Sequence, residues 1–171
     1  LSLHDALPIS NNGTGDLELS DLPRKFNIAV AGGRDNSVHA EINDLGLLPA
    51  YKDGVLGFNI IVGGYFAPNQ YVSAIPLDAW ISPEDVVDLT LAMMRVYREN
   101  GPRENRQKCR MMHLINQWGI EKFRAEVEQK FAKPLANAAE KDEIDWEKRD
   151  FIGVYPQKQT GLNYVGLHVP V

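Results

Sequence analysis

The chain of 171 residues is poor in cysteine, with Cys109 the only one. One thiol cannot close an internal disulfide, complete a four-cysteine zinc site or hold an iron–sulfur cluster by itself. Long apolar runs are missing as well. Nothing approaches the ~20 residues of a membrane helix, so no membrane partner is expected. Basic residues are outnumbered, 18 against 23, giving a net charge of −5 and a pI near 5.4. That balance argues against a general nucleic-acid binder while leaving room for a local basic site. No P-loop, G-x-G-x-x-G or G-x-S-x-G motif occurs, so nothing supports a phosphate cradle, a dinucleotide turn or a nucleophile elbow. What is present is ordinary globular material, 44% apolar and 24% charged. It amounts to one domain, or one domain plus a piece of another.

Residues 1–10, LSLHDALPIS, lack the basic start and apolar length of a signal peptide. They resemble a sequencing adapter translated in one frame and are set aside from fold reasoning. The chain begins without Met and closes on Pro170-Val171 straight after a strand-like run, so a truncated sequence is expected. Asn11 to Asp16 reads as an irregular loop. Within it, Asn12-Gly13-Thr14 matches a glycosylation sequon, read as a chance match without a secretory signal.

Hydrophobic patterning predicts an α+β domain with antiparallel strands and a helical segment. Phe26–Val30 reads as a short buried strand stopped by Gly32-Gly33, and 38–48 as a second extended stretch. Asp53-Gly54 between strand-like runs signals a hairpin, because both residues tolerate positive φ. The return strand is 56–62, and the three segments together suggest an antiparallel ribbon. The period then changes. Ser82-Pro83-Glu84-Asp85 is a helix start, followed by Val86, Leu89, Met93, Val96 and Tyr97 at helical spacing and stopped by Asn100-Gly101-Pro102. A second helix is expected from about Asn105 to Trp118. A third begins near Ile120 with Phe123, Val127 and Phe131 on one face. Beyond Phe131 the alternating charges read as a solvated face running into a linker. The run 161–169 alternates like a strand with no evident partner.

Several groups of residues could carry chemistry. If Lys25 and Asn27 both lie in the first strand, period two puts a cation and an amide donor on one face. Such a pair suits a small oxyanion; the plain alternative is an exposed strand end. Residues 95–110 hold six cations (Arg95, Arg98, Arg103, Arg106, Lys108 and Arg110) against Glu99 and Glu104. A local charge of +4 in an acidic chain suggests a polyanion or an acidic protein, or else a helix face laced by i,i+4 pairs. His39, Glu41 and Asn43, with Asp44, could be read as metal ligands sharing a strand face, although hydrogen bonds across a sheet are the commoner use, and no metal ligand is assigned. Gly57, Gly63 and Gly64 could admit a flat cofactor or simply form turns. Cys109 reads as a structural thiol in a basic stretch.

Seven stretches then point one way: LPRKFN at 22–27, HAEINDL at 39–45, GFNIIVGGYF at 57–66, AIPLDAW at 74–80, NRQKCRMM at 105–112, GIEKFRAEVE at 119–128 and GLNYVGLHVPV at 161–171. In order and spacing they resemble the ferredoxin-dependent assimilatory nitrite reductases, cousins of the sirohaem sulfite reductases. The resemblance covers Asn11 to Val171. It implies a six-electron reduction of nitrite to ammonium, with sirohaem and a 4Fe–4S cluster as cofactors and ferredoxin as electron donor. It implies the cyanobacterial cytoplasm or the plastid stroma as location. It also implies that 11–150 belong to the first half of a two-half sirohaem-type protein and that 151–171 open the second. By this resemblance Lys25 and Asn27 contact the substrate, with Arg24 beside them. Arg106 and Lys108 are candidates, by charge, for the cofactor's carboxylates. The sulfite-reducing cousins carry a second Lys at the position of Asn27, so Asn27 favours nitrite over sulfite. The cluster cysteines belong to the missing half, so the isolated chain is expected to be inactive. A free-standing module that binds an anion or an acidic protein is the competing expectation.

Overall fold

The computed structural model describes residues 19–68, 70–145 and 151–167. The readings of residues 1–10 and 11–16, and of the strand run at 168 and 169, lie outside those residues. The frame is a four-stranded sheet of order β1-β2-β3-β6, built from β1 (Ile28–Val30), β2 (Leu45–Lys52), β3 (Val55–Val62) and β6 (Ile75–Ile81). The β2–β3 hairpin turns through Asp53 and Gly54 at φ 52° and 76°, the conformation that a two-residue turn demands. β6 returns antiparallel to β3, with a register shift opposite Asn59–Ile61. Asp78, inside β6, sits at φ 52°, and its Oδ1 accepts the Ala138 amide at 3.2 Å.

Two expectations for the first strands are corrected. β1 pairs parallel with β2, so the three segments are not an antiparallel ribbon. β1 is also an edge strand in which only Ala29 is buried, while Ile28 and Val30 are exposed. The second extended stretch starts at Leu45 and not at 38. Asn36 and His39 adopt positive φ, which breaks extension and forms the 3-10 turn Ala40–Ile42.

Three helices cover one face of the sheet: α1 (Val86–Asn100), α2 (Met111–Trp118) and α3 (Ile120–Phe131). Ser82 is extended and Pro83 opens a 3-10 turn that leads into α1, as the capping residues imply. Leu89, Met93, Val96 and Tyr97 from α1, and Phe123, Val127 and Phe131 from α3, are buried against Leu45, Leu47, Ile60, Val62 and Leu77. Those positions alternate along the strands and recur at helical spacing along α1 and α3, so both periods read from the sequence describe one core. α2 begins at Met111, not near 105. Residues 101–110 form an irregular loop, and the 95–110 cations therefore do not share a helix face.

The far side of the sheet carries the segment expected to be a linker. Residues 132–145 instead form a strap. The Trp80 amide donates to the Ala136 carbonyl at 2.9 Å, Asn59 on β3 binds Ala139, and the Tyr51 amide on β2 donates to the Asp142 carbonyl at 2.9 Å. The strap thus crosses from β6 over β3 to β2, where Arg34 forms an ion pair with Asp142. Two hairpins complete the described structure: β4 (Tyr65–Ala67) with β5 (Gln70–Val72), and β7 (Gly153–Pro156) with β8 (Asn163–Gly166). The strand near the C-terminus therefore has its partner inside this chain, in β7.

Candidate functional site: a cationic cleft

The segment 22–27 runs up to β1 as irregular backbone. It is not part of the strand, so the face-sharing argument for Lys25 and Asn27 does not apply. Phe26 is partly buried beside the Tyr97 ring, with centroids 6.2 Å apart. Asn27 faces inward through its backbone: its N–H donates to Asp44 Oδ2 at 2.8 Å, and its carbonyl accepts the Leu45 amide at 3.1 Å. Immediately before these anchors Arg24 and Lys25 border a cleft of about 860 Å³. That lies in the range of ~300–1,000 Å³ usual for small-molecule sites. Tyr65, Phe66, Arg106 and Arg110 line its other walls.

Of the residues singled out from the sequence, Arg24, Lys25 and Arg106 meet at this cleft. Asn27 and Lys108 lie beside it and do not line it. Among the described residues the side chains of Arg24, Lys25 and Arg106 have no carboxylate partner, and no acidic residue lines the cleft. Arg110 differs. It is buried, and it grips Asp44 with Nε at 3.2 Å and a terminal nitrogen at 2.5 Å, a two-point ion pair. Its guanidinium also lies 5.2 Å from the Tyr65 ring centroid. Burial pushes the Asp44 carboxyl up, and the Arg110 guanidinium opposes that shift. Burial likewise raises Tyr65 and Tyr97 and lowers His113. Under the cleft, the Tyr97 hydroxyl donates to the Cys109 carbonyl at 2.5 Å, and the Cys109 thiol bonds the Arg106 carbonyl at 3.1 Å.

Arg110, Asp44 and Tyr65 were missed as site residues. Arg110 was counted in the basic stretch without its partner, because an ion pair spanning 66 positions leaves no local signal. Asp44 was considered with His39, Glu41 and Asn43 as a metal ligand. The 3-10 turn removes the shared strand face, Asn36 Nδ2 bonds Glu41 at 2.6 Å, and Asn43 Nδ2 bonds the His39 carbonyl at 2.7 Å. Among the described residues no group of three His, Cys, Asp or Glu could hold a metal ion. The glycines pack against the protein itself. A Cβ on Gly57 would lie 2.3 Å from the Trp80 ring, and one on Gly64 would lie 2.0 Å from the Glu41 carbonyl oxygen.

A second cleft, of about 450 Å³, lies on the strap side. Its polar side chains are consumed internally: Arg34 by Asp142, Asn36 by Glu41, and Asn59 by Ala139. It therefore offers few free donors to a ligand, and the cationic cleft is the stronger site.

The two implied cofactors fare differently against these residues. A polycarboxylate macrocycle such as sirohaem suits three cations that have no carboxylate partner among the described residues, around a cleft that no described acidic residue lines. A 4Fe–4S cluster does not fit. Its ligands are thiolates, and the one cysteine here is buried with its sulfur on the Arg106 carbonyl.

A mixed sheet with helices on one face and a cleft lined by cations defines an α+β domain. The chain belongs to the nitrite and sulphite reductase 4Fe-4S domain family, whose model matches residues 2–135. Over 163 residues it is 61% identical to the ferredoxin–nitrite reductase of Leptolyngbya laminosa, covering 95% of this chain and 32% of that protein. It is 49% identical over 166 residues to the chloroplastic ferredoxin–nitrite reductase of Spinacia oleracea, covering 95% of this chain and 28% of that protein. The solved structure of Mycobacterium tuberculosis NirA matches with a TM-score of 0.69 and 32% identity, over 85% of this chain and 26% of that one. The chain thus spans about a third of the length of the curated relatives it matches. Among the described residues no helix is long and apolar enough to cross a membrane.

Proposed function

We propose that this chain supplies one wall of the active site of a ferredoxin-dependent nitrite reductase, which reduces nitrite to ammonium by six electrons from ferredoxin. The observation that carries the reading is the convergence of Arg24, Lys25 and Arg106, all unpaired among the described residues, on one cleft. Sirohaem, when bound, supplies the iron on which nitrite is reduced. This chain's residues bind and orient around it. Arg24 and Arg106 face the carboxylates of the macrocycle, with Lys108 a further cation beside the cleft. Lys25, exposed at the rim, holds the nitrite oxygens and stabilises the negative charge that develops on them. Asn27 lies beside the cleft at the position where, by the resemblance, the sulfite-reducing cousins carry a second Lys. One Lys fewer near the cleft suits a monoanion better than a dianion, which favours nitrite over sulfite.

The division of labour follows. Residues 11–150 form part of the first half-domain, and 151–171 open the second. The remainder of the enzyme supplies the cluster cysteines. The 171-residue chain by itself therefore retains neither cofactor through purification and has no reductase activity. Relatives described as chloroplastic, and cyanobacterial ones, favour a plastid stroma or a cyanobacterial cytoplasm as its location.

The test is a graft. Residues 11–171 replace the matching third of the Leptolyngbya laminosa enzyme, and the purified chimera is assayed for sirohaem content and for nitrite and sulfite reduction. The reading requires nitrite turnover that falls at least ~100-fold in Lys25→Ala, and a shift of preference toward sulfite in Asn27→Lys. A chimera that binds sirohaem but turns over neither anion refutes it.

A further inference from the structure

Three separate stretches of chain line the cationic cleft: Arg24 with Lys25, Tyr65 to Pro68 with Gln70, and Arg106 and Gln107 with Arg110. Each is tied to Asp44, the first through Asn27, the second through Gly63 and the third through Arg110. Asp44 Oδ2 accepts the Asn27 amide at 2.8 Å, both its carboxylate oxygens accept the Arg110 guanidinium, and its carbonyl accepts the Gly63 amide at 2.8 Å. Gly63 leads directly to Tyr65, and the Arg110 guanidinium packs on the Tyr65 ring. Asp44 itself has no exposed surface, so it cannot touch a ligand in the cleft.

We propose that Asp44 is the positioning residue of the cleft, fastening its three walls in the one arrangement that lets Arg24, Lys25 and Arg106 act on a single anion. The inference deepens the reading above and rests on it. The physical reason is the count of acceptors. Three N–H groups converge on one carboxylate, which donates nothing and accepts all of them. An amide at the same place has a single acceptor atom and turns an NH₂ toward at least one of those donors. The buried Arg110 then has no counter-charge, which is the costly way to break such a pair.

The proposal separates from a simple charge effect by sign. Asp44→Asn removes a negative charge close to the cleft. Through-space electrostatics alone then predicts tighter binding of a polyanion. Loss of wall positioning predicts weaker binding.

The test uses the full 171-residue chain and uroporphyrin III, a metal-free porphyrin polycarboxylate, as a reversible probe. Wild type, Asp44→Asn and Asp44→Asn/Arg110→Gln are titrated by fluorescence, with amide exchange followed at Asn27 and, as a reference for global opening, at Ile60. Near-UV circular dichroism and urea titration establish that each variant is folded. The double variant leaves no unpaired buried charge, so it carries the Asn27 exchange readout where the single variant does not fold; because Arg110 lines the cleft, the sign of the binding change is read from Asp44→Asn alone. The expected result is affinity at least about five-fold weaker in Asp44→Asn in spite of the added positive charge, together with Asn27 exchange at least about five-fold faster than Ile60 exchange changes. A folded Asp44→Asn variant that binds uroporphyrin III as tightly as wild type, or more tightly, overturns the proposal. If the wild-type chain does not bind the probe, the anion-cleft reading falls, and the Asn27 exchange ratio alone decides whether Asp44 sets the walls.

Discussion

Asn59 and Ala139 exchange two hydrogen bonds across the far face of the sheet. The Asn59 amide nitrogen donates to the Ala139 carbonyl at 2.9 Å, and the Ala139 amide donates back to Asn59 Oδ1 at 2.8 Å. One side chain therefore reads both main-chain groups of a residue 80 positions away, as a neighbouring strand would. This contact, with the Trp80–Ala136 bridge and the Arg34–Asp142 pair, turns an apparent linker into a strap.

Replacing Asn59 by Ala is expected to leave two backbone groups of the strap without partners. At about 1 kcal/mol per net bond, and more where the group stays buried, the loss is about 1–3 kcal/mol. Urea denaturation measures it. Amide exchange at Ala139 should rise while exchange in β3 keeps pace only with global stability. A change within about 0.3 kcal/mol means that the clasp contributes nothing.

Gly57 is where the sheet admits the Trp80 ring, whose Nε1 also donates to the Ala50 carbonyl at 3.0 Å. Gly57→Ala puts a methyl group 2.3 Å from that ring and 2.4 Å from the Ile81 carbonyl oxygen. Overpacking of this kind costs about 1–3 kcal/mol. It should also displace the indole, so tryptophan emission shifts in the folded variant. Unchanged emission and stability would show that the ring is not held there.

α1 and α3 were legible because their signal is local. Leu89, Met93 and Val96 recur every three or four residues, Tyr97 lies four after Met93, and each is buried. The hairpin at Asp53-Gly54 was legible for the same reason. Strand limits were less so. Val38 to Asp44 has extended composition, but positive φ at Asn36 and His39 folds it into a turn, and nothing in the residue types forces that. The strap could not be read, since the bonds that hold 136–142 across the sheet come from partners 56 to 108 positions away. The site divided the same way. Arg24, Lys25 and Arg106 were visible as cations, whereas the Asp44–Arg110 pair depends on how the walls are brought together.

The Tyr97 hydroxyl supports the cleft floor through the Cys109 carbonyl. Tyr97→Phe removes the donor and leaves that carbonyl buried. A loss of about 1–2 kcal/mol is expected by urea titration. Tyr71→Phe, on the exposed β5, is the control and should stay within about 0.5 kcal/mol of wild type. Equal effects of the two changes would rule out a specific role for Tyr97.

His113 gives the chain a pH dependence of its own. Burial, and then the charge of Lys108, hold its imidazole below the usual histidine range, and its Nε2 has no partner among the described residues. The unfolded chain therefore binds the His113 proton more readily than the folded one. Stability from this group is fully present above a pH of about 6.5 and is lost as the pH falls from there toward the folded value. A second decline lies lower. Arg34 holds the Asp142 carboxyl below the usual carboxylate range, and Asn36 does the same for Glu41. Their contribution is present above about pH 4.5 and is lost as the pH falls through their folded values. His113→Phe keeps the ring against Tyr65 and removes the upper decline only. Urea midpoints measured from about pH 7.5 down to about pH 3.5 should show wild type weakening in two stages and the variant in one. A variant that still weakens between about pH 6.5 and pH 5 assigns that decline to another group.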